Sequence, residues 1–285
     1  MIPDLAEAIA TLAAAGIEDP RFEAQILLAL ALGVSRSQVV AGLAPPPTEA
    51  QRQAFLSLVQ ERARRVPLAY LRGSQEFYGL PFTVTPEVLI PRPETELLVD
   101  FALETLRAAE TPSPVLADVG TGSGCIAIAV LAHCPPARAL AVDISAAALA
   151  VAGTNAARNG VTERIRFARA GLLTGLATAH FDLVVSNPPY IPTSEIPKLQ
   201  EEVRAFEPEL ALDGGADGLD FHRGLVTGAM RALRPGGWLA VEVAMGQAPV
   251  VAALFRQAGL TSIAIRQDLA GIERVVAAKL APKGQ

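Results

Sequence analysis

Residues 115–124 read Val-Leu-Ala-Asp-Val-Gly-Thr-Gly-Ser-Gly, and this stretch decides the fold class of the chain. The apolar run Val115–Val119 is typical of a buried strand, and the apolar segment Cys125–His133 predicts a helix. Glycines between a strand and a helix let a ligand approach the backbone closely. The first turn of the following helix attracts an anionic group. The stretch therefore predicts an α/β domain with a ligand site at a strand–helix turn.

Strand and helix patterns alternate downstream of this stretch. Strands are predicted at 139–142, 165–168, 183–186 and 238–243, helices at 146–159, 219–233 and 250–257, and two final strands near 261–266 and 274–280. Alternation of this kind predicts a mostly parallel sheet with helices on both faces. The predicted fold class is therefore α/β, a Rossmann-like doubly wound sheet that ends in an antiparallel hairpin.

The first third of the chain carries different signals. Its start has helical periodicity, with one helix that Asp19 caps and Gly33 ends, and a capping-box helix that begins at Thr48. A β-hairpin is predicted between 75 and 85. The predicted domains are a small N-terminal helical bundle for scaffolding or partner recognition at 1–66, a linker with the hairpin at 67–93, and the α/β domain at 94–285.

The composition argues against several classes of protein. Of the 285 residues 51% are hydrophobic, but a charge, glycine or proline interrupts every long apolar run, so no transmembrane helix is predicted. The first residues lack the basic segment of a signal peptide, and a cytoplasmic protein is expected. The cysteines and histidines fit no metal-site spacing, so no metal is expected. The net charge of −5 argues against direct nucleic-acid binding, and the basic run 62–65 is interpreted as a solvated helix face.

The residues around the glycines favour a nucleoside with an amino-acid tail over a dinucleotide. Gly120, Gly122 and Gly124 form a G-x-G-x-G pattern, and Cys125 stands where the dinucleotide fingerprint requires glycine. Asp143 ends the next predicted strand, 19 positions after Gly124. A carboxylate there accepts hydrogen bonds from ribose hydroxyls. The alternative is that it caps the following helix, a role that the serine two positions later also fits.

A second signal is Asn-Pro-Pro-Tyr at 187–190, directly after a predicted strand. Two prolines remove two backbone donors, and the residue before them is held extended. The Asn187 side-chain oxygen and the Pro188 carbonyl then form an acceptor pair for a planar –NH2 group, on which the Tyr190 ring stacks. The alternative is that the prolines only end a strand. The tetrad predicts chemistry on an amide or exocyclic amine nitrogen.

Together these signals predict an S-adenosylmethionine-dependent methyltransferase. The predicted catalytic residues are Asn187, Pro188, Pro189 and Tyr190. The predicted cofactor-binding residues are Gly120, Thr121, Gly122, Ser123, Gly124, Asp143, Leu172 and Asn187, with backbone near Leu172 in place of an acid that binds adenine. Three rivals stay open: methylation of another planar amine or amide, either a ribosomal-protein glutamine or the exocyclic amine of a DNA or rRNA base; a non-enzymatic cofactor-binding module; and a nicotinamide dehydrogenase.

From about 67 to 277 the chain resembles the peptide-chain release factor glutamine methyltransferases. The segments that carry the resemblance are 75–79, 89–96 (Leu-Ile-Pro-Arg-Pro-Glu-Thr-Glu), the glycine stretch, the tetrad, 206–212, 214–219 and 268–274. The resemblance implies methylation at N5 of the glutamine in the Gly-Gly-Gln motif of class 1 release factors. It also implies S-adenosylmethionine as the donor, S-adenosylhomocysteine as the product, and a helical domain that helps to dock the release factor.

Two charged residues within these segments have open roles. Arg92 is suited to bind the cofactor carboxylate or a substrate carbonyl, or to pair with Glu94 or Glu96. Glu207 is suited to position a substrate loop or to begin a helix. Residues 191–217 are long for a loop, and long loops of this kind are often lids over sites.

Overall fold

The computed structural model describes residues 3–175 and 177–282. Its helices are α1 Pro3–Ala14, α2 Pro20–Leu32, α3 Arg36–Val40, α4 Glu49–Ala63, α5 Leu68–Arg72, α6 Glu96–Arg107, α7 Cys125–His133, α8 Ala146–Arg158, α9 Glu201–Phe206, α10 Asp220–Ala232 and α11 Ala248–Gln257. Its strands are β1 Ser74–Phe77, β2 Leu80–Thr83, β3 Val115–Val119, β4 Arg138–Asp143, β5 Ile165–Arg169, β6 Phe181–Ser186, β7 Leu233–Glu242, β8 Leu260–Gln267 and β9 Glu273–Leu280.

The chain forms two compact units. The helical unit comprises the residues up to 74 together with 200–206, and the sheet unit comprises the rest. The outermost residues of the predicted domains, 1–2 and 283–285, lie outside the described residues, as does 176. The predicted domain boundaries at 66 and 93 stay predictions.

In the helical unit, the predicted helix ends are confirmed. The Asp19 side chain accepts a hydrogen bond from the Phe22 amide at 3.1 Å, and Gly33 ends α2 in the left-handed region with φ 68°. Thr48 and Gln51 form the reciprocal capping box of α4. The two helices pack with α1 around a core that includes Leu12, Leu27, Leu28, Phe55 and Val59.

The expectation that the basic run 62–65 is a solvated helix face is wrong for Arg62. That side chain is buried, and it pairs with Glu23 at 2.5 Å and with Glu202 of α9 at 3.2 Å. Arg65 pairs with Glu202 at 3.0 Å, while Arg64 stays exposed. Burial of a guanidinium requires such acidic partners, and α9, distant in sequence, supplies one of them.

In the sheet unit, seven strands run in the order β5-β4-β3-β6-β7-β9-β8. The first five strands in this spatial order, β5, β4, β3, β6 and β7, are parallel, and β9 is antiparallel to both of its neighbours. This arrangement confirms the predicted doubly wound sheet with a terminal hairpin. The chain leaves β3 toward β4 on one side, and β6 lies on the other. A crevice therefore opens at the carboxyl ends of β3 and β6, where ligands of such sheets bind.

Two apolar layers cover the sheet. On one face α6 and α7 pack with Phe77 and Phe82 of the β1–β2 hairpin, and on the other α10 and α11 pack around Phe255. The fully buried Asn155 joins the hairpin to the glycine stretch: its amide bonds both backbone groups of Thr83, at 2.7 and 3.0 Å, and the Ser123 carbonyl at 2.9 Å. The Asn155 side chain of α8 thus fixes the hairpin against the loop that follows β3.

Two predicted segments differ from the structure. Residues 234–237, which separate a predicted helix at 219–233 from a predicted strand at 238–243, belong instead to the start of β7, where a Cβ on Gly237 would lie 2.9 Å from the Phe181 carbonyl oxygen. The glycine permits an irregular pairing that brings the two strands close together. The segment 191–217 is not a plain loop, because it contains α9 and two short 3-10 turns, Thr193–Lys198 and Glu209–Ala211.

Among residues 3–175 and 177–282, no helix combines the length and the apolar character needed to cross a membrane. Within the same ranges, no three histidine, cysteine or acidic side chains are grouped so as to hold a metal ion.

Candidate functional site

A cavity of about 400 Å³ lies at the carboxyl edge of the sheet and gathers most of the predicted site residues. The glycine stretch, Asp143 and Leu172 form one side, and Asn187, Pro188 and Pro189 line it as well. Gly124 and Tyr190 do not line this cavity. Its volume is in the range of small-molecule and cofactor sites, which is about 300–1,000 Å³. The two sequence signals thus meet in one place.

The glycines of the stretch have two different functions. Gly120 and Gly122 have φ of 71° and 53°, and a Cβ on either would meet nothing within 4 Å, so open space lies beside their backbone. Gly124, with φ 81°, faces protein instead: a Cβ would lie 2.7 Å from Ile128 Cδ1 and 3.1 Å from Ala152 Cβ. The first two therefore leave room beside the backbone in which a ligand would fit, and the third permits close packing of the loop on its helices.

Asp143 holds the loop in shape. Its Oδ2 accepts from the Gly122 amide at 2.9 Å, and its Oδ1 accepts from the Ser145 amide at 2.9 Å. Ser145 caps α8 through the Ala148 amide at 3.1 Å, so the capping role belongs to the serine. Each carboxylate oxygen retains acceptor capacity on the cavity side for a ligand hydroxyl.

Asp118 lies beneath the loop and is fully buried. Its Oδ2 accepts from the Thr121 hydroxyl at 2.7 Å and from the Ala127 amide at 3.2 Å, and burial raises its pKa to about 6. Its Oδ1 has no partner among the described groups. Asp118 does not line the cavity, so its bonds support the shape of the loop. The open backbone at Gly120 and Gly122, together with the acceptors of Asp143 at the cavity, fits the predicted cofactor.

The segment predicted to contact adenine, 170–173, contains no acidic residue. Ala170, Gly171 and Leu172 line the cavity there, and Leu172 takes a left-handed φ of 54°. The Ala170 amide donates to the Asp143 carbonyl at 3.0 Å, which ties this segment to the end of β4. The role predicted for Leu172 stays a prediction.

The Asn187 side chain has a defined orientation. Its Nδ2 donates to the Thr95 hydroxyl oxygen at 3.1 Å, and Oδ1 has no donor among the described residues. The Pro188 carbonyl oxygen likewise accepts no hydrogen bond from the described part of the chain. Two acceptors are therefore available beside the cavity, in the pattern that suits a planar –NH2 group.

Tyr190 is turned inward. Its hydroxyl donates to Glu242 Oε1 at 3.3 Å, and burial and the Glu242 charge raise its pKa above the usual range. Its carbonyl accepts from Gln247 Nε2 at 2.9 Å, and a Cβ on Gly218 would lie 2.3 Å from that oxygen. The glycine-rich segment 214–218 is thus packed against the tetrad's backbone. Stacking of Tyr190 on a substrate stays a prediction.

The open roles of two charged residues have a common answer. Arg92 pairs with Glu207 rather than with Glu94 or Glu96, and the Glu207 carboxylate also accepts from the Ile90 amide at 3.1 Å. Glu207 is buried, while Arg92 lines the cavity. The acid therefore anchors the segment that leads into the site.

Sequence reasoning missed Thr95 and Glu242, both 2% exposed. Thr95 orients Asn187, and Glu242 receives the Tyr190 hydroxyl. Burial raises the pKa of Glu242 to about 7. A single acid in the otherwise apolar predicted strand 238–243 was a signal that could have identified Glu242, because such a residue is rarely buried without a function.

The chain matches known families over most of its length. Residues 5–73 match the family model described as the PrmC N-terminal domain, and residues 95–203 match the methyltransferase small domain. A release factor glutamine methyltransferase of Geobacter sulfurreducens is 45% identical over 269 residues, which cover 94% of this chain and 93% of that protein. One of Moorella thermoacetica is 45% identical over 271 residues, which cover 95% of each.

A solved structure gives a comparison of the fold. A methyltransferase of Pyrococcus furiosus is 17% identical to this chain and superposes with a TM-score of 0.53, covering 81% of this chain and 99% of that one. At this identity the likeness concerns the fold alone.

Proposed function

The chain belongs to the release factor glutamine methyltransferase family, and from this premise we propose that it methylates N5 of the glutamine in the Gly-Gly-Gln motif of class 1 release factors. The chain is an enzyme that transfers methyl groups to release factor glutamine. Beyond this activity, we propose that the glutamine is the one in the Gly-Gly-Gln motif and that its N5 receives the methyl group.

The proposal rests on the orientation of the Asn187 side chain, whose Nδ2 donates a hydrogen bond to the Thr95 hydroxyl oxygen at 3.1 Å. Its Oδ1 is left to accept one hydrogen of a carboxamide, and the Pro188 carbonyl accepts the other. A primary amide presents two coplanar N–H donors, so two fixed acceptors hold it in one orientation. The nitrogen lone pair is then perpendicular to the plane that contains both N–H bonds, so fixing this plane also fixes the direction from which the methyl group must approach.

Positioning is the main task of these residues, because resonance makes an amide nitrogen a poor nucleophile. When bound, S-adenosylmethionine would supply a methyl group from a positively charged sulfur. The amide nitrogen that accepts this group would lose its proton to water, so that N5-methylglutamine and S-adenosylhomocysteine result. Asn187 and Pro188 stabilise the positive charge that grows on the amide nitrogen.

The glycine side of the cavity holds the cofactor in this proposal. The open backbone at Gly120 and Gly122 receives the amino-acid part, and Asp143 accepts from the ribose hydroxyls. Backbone groups near Leu172 face the adenine.

The protein substrate is bound by more than its glutamine. The helical domain at 1–66 docks the release factor, since residues 5–73 match a domain that the family carries. Translation termination takes place in the cytoplasm, and the enzyme acts there.

The test is mass spectrometry of a purified class 1 release factor after incubation with the protein and S-adenosylmethionine. One added methyl group is expected, on the glutamine of the Gly-Gly-Gln motif. A release factor with alanine at that glutamine is the control and should gain none. Methyl incorporation into DNA or ribosomal RNA, with none into the release factor, would contradict the proposal.

A further inference from the structure

Gln247 is a polar residue that the chemistry above does not use. It directly precedes α11 and does not line the cavity. Its Oε1 accepts a hydrogen bond from the Ala244 amide at 3.0 Å, and its Nε2 donates one to the Tyr190 carbonyl oxygen at 2.9 Å. The side chain of Gln247 therefore connects the turn after β7 to the last residue of the tetrad.

The two partners of this side chain determine which group faces which. A backbone amide can only donate and a backbone carbonyl can only accept, so Oε1 belongs at Ala244 and the NH2 group at Tyr190. The Gln247 backbone amide also donates to the Ala244 carbonyl oxygen at 3.0 Å, which closes a ring of two hydrogen bonds within the turn. A carboxylate would satisfy the Ala244 amide, but it would face the Tyr190 oxygen with no hydrogen to donate.

The hydrogen bond between Gln247 and Tyr190 lies under a glycine-rich segment. A Cβ on the buried Gly218 would lie 2.3 Å from the Tyr190 carbonyl oxygen and 2.9 Å from Gln247 Nε2. A Cβ on Gly214, which is buried too, would lie 2.8 Å from the Tyr190 Cα. The segment 214–218 therefore leaves room for this hydrogen bond only because it carries no side chain at these two positions.

The tetrad is held at both of its ends. Ser186, directly before it, is paired with β7. At the other end, the Tyr190 hydroxyl donates to Glu242 Oε1 at 3.3 Å, and the Tyr190 carbonyl accepts from Gln247. The two prolines between these anchors have fixed φ angles. The direction of the Pro188 carbonyl therefore depends on how Tyr190 is held.

We propose that Gln247 is a positioning residue, whose hydrogen bond to the Tyr190 carbonyl keeps the Pro188 carbonyl directed at the substrate amide. The inference rests on the proposed function, because only a substrate with N–H donors uses that carbonyl as an acceptor. Without the bond, the tetrad is free to rotate about the ψ angles that the prolines do not fix. A displacement of about 1 Å at a reacting group can lower the rate about a hundredfold.

Two variants separate the two ends of the side chain. Gln247→Glu keeps an acceptor for the Ala244 amide but, while ionised, has no hydrogen for the Tyr190 carbonyl. Gln247→Met has a similar length and satisfies neither partner. Gln257→Glu makes the same change at an exposed position at the other end of α11 and is the control. The experiment measures kcat and KM for the release factor from about pH 5 to about 8.5 at saturating cofactor, with cofactor affinity from calorimetry.

At about pH 8, both Gln247 variants should lower kcat about tenfold to a hundredfold, with a smaller change in KM and a cofactor affinity near that of the wild type. The new carboxyl of Gln247→Glu has an ordinary pKa of about 4.3, which partial burial raises. As pH falls it gains a hydrogen to donate to Tyr190, so its kcat relative to the wild type should rise, while that of Gln247→Met stays constant. This ratio removes the effects of Glu242, Arg92 and Arg274, the charged groups that act on Tyr190 in every variant.

Wild-type kcat of Gln247→Glu at about pH 8 would overturn the inference, because the turn rather than the Tyr190 carbonyl would then explain any loss in Gln247→Met. A loss in Gln247→Glu that is equal at every pH would overturn it too. If one of the two variants does not fold, wild-type kcat in the other has the same meaning. All these outcomes leave the proposed function intact, whereas a wild-type protein that binds S-adenosylmethionine but adds no methyl group to a release factor would overturn both.

Discussion

Two buried carboxylates, Asp118 and Glu242, bond residues of the site without lining the cavity. They differ in how far along the chain their hydrogen-bond partners lie. Asp118 bonds groups three and nine residues away, within one strand–loop–helix unit. Glu242 bonds Tyr190, 52 residues away, and Asn187 is tied to Thr95 across 92 residues. We call the glycine stretch 120–124 with Asp118 and Asp143 the cofactor-facing wall, and it is built mostly from residues close together in the chain. We call Thr95, Asn187, Tyr190 and Glu242 the substrate-facing wall, and it is assembled by the tertiary fold. Changes in the two walls should have separable effects, one on cofactor affinity and one on turnover.

The largest effect is expected on the substrate-facing wall. Asn187→Ala removes the side-chain acceptor that we assign to the substrate amide, and kcat should fall by on the order of 10²–10³. Asn187 is also a predicted cofactor-binding residue, so cofactor affinity measured by calorimetry should fall as well, but by less than turnover. Asn159→Ala, which removes an amide bonded to the Pro81 carbonyl outside the cavity, is the control and should retain turnover. Near-normal turnover of Asn187→Ala at saturating substrate would show that the assignment is wrong.

On the cofactor-facing wall, Asp143→Ala should weaken S-adenosylmethionine binding roughly tenfold to a hundredfold, since hydrogen bonds to a charged group contribute about 1.5–3 kcal/mol. The variant loses the acceptor for the Gly122 and Ser145 amides. Calorimetry gives the dissociation constant, and kcat at saturating cofactor should stay close to the wild-type value. A kcat loss as large as that of Asn187→Ala would mean that the two walls are not separable.

A pair of glycine variants sharpens the distinction within the cofactor-facing wall. Gly124→Ala should lower the free energy of unfolding by about 1–3 kcal/mol, because φ 81° strains an alanine and its Cβ would lie 2.7 Å from Ile128 Cδ1. Gly122→Ala has a similar strain but no clash. Its methyl group should fill the ligand cradle and mainly weaken cofactor binding. Urea denaturation and calorimetry measure the two quantities, and equal losses of binding in both variants would contradict the assigned roles.

The smallest effect is a pH dependence of stability. Burial raises the pKa of Asp118 from 3.8 to about 6 and that of Glu242 from 4.5 to about 7. A folded state that holds its protons more tightly loses stability as pH rises from the lower value to the upper one. Glu242→Gln should therefore reduce the fall in the free energy of unfolding between about pH 4.5 and 7. Asp118→Asn should reduce the fall between about pH 3.8 and 6. Urea denaturation at stepped pH measures the slopes, and slopes equal to wild type would contradict the raised pKa values.

The two walls also differ in what the sequence discloses. The strand, the glycine stretch and Asp143 follow one another along the chain, so period and spacing predicted the fold and the residues that gather at one end of the cavity. Asn187 was found because Pro-Pro constrains its own neighbours. Each of these patterns involves residues that are neighbours in the chain, so the sequence alone is enough to detect it.

Thr95, Glu207 and Glu242 were not assigned from the sequence because their partners lie far away in the chain. The sequence around Arg92 gives no reason to choose Glu207 over Glu94 or Glu96 as its partner. Only the tertiary fold brings Glu207 into contact with Arg92. The early start of β7 was missed for the same reason. A Pro-Gly-Gly turn signal at 235–237 is overridden by pairing with β6.

The helical unit draws one of its pieces from the middle of the chain. Residues 200–206 are grouped with the first 74, and Glu202 there neutralises Arg62 and Arg65. A chimera that exchanges only the N-terminal segment between relatives would therefore leave two arginines facing a foreign helix. Exchange of 200–206 along with it keeps the ion cluster intact, so the transplantable module is discontinuous in sequence.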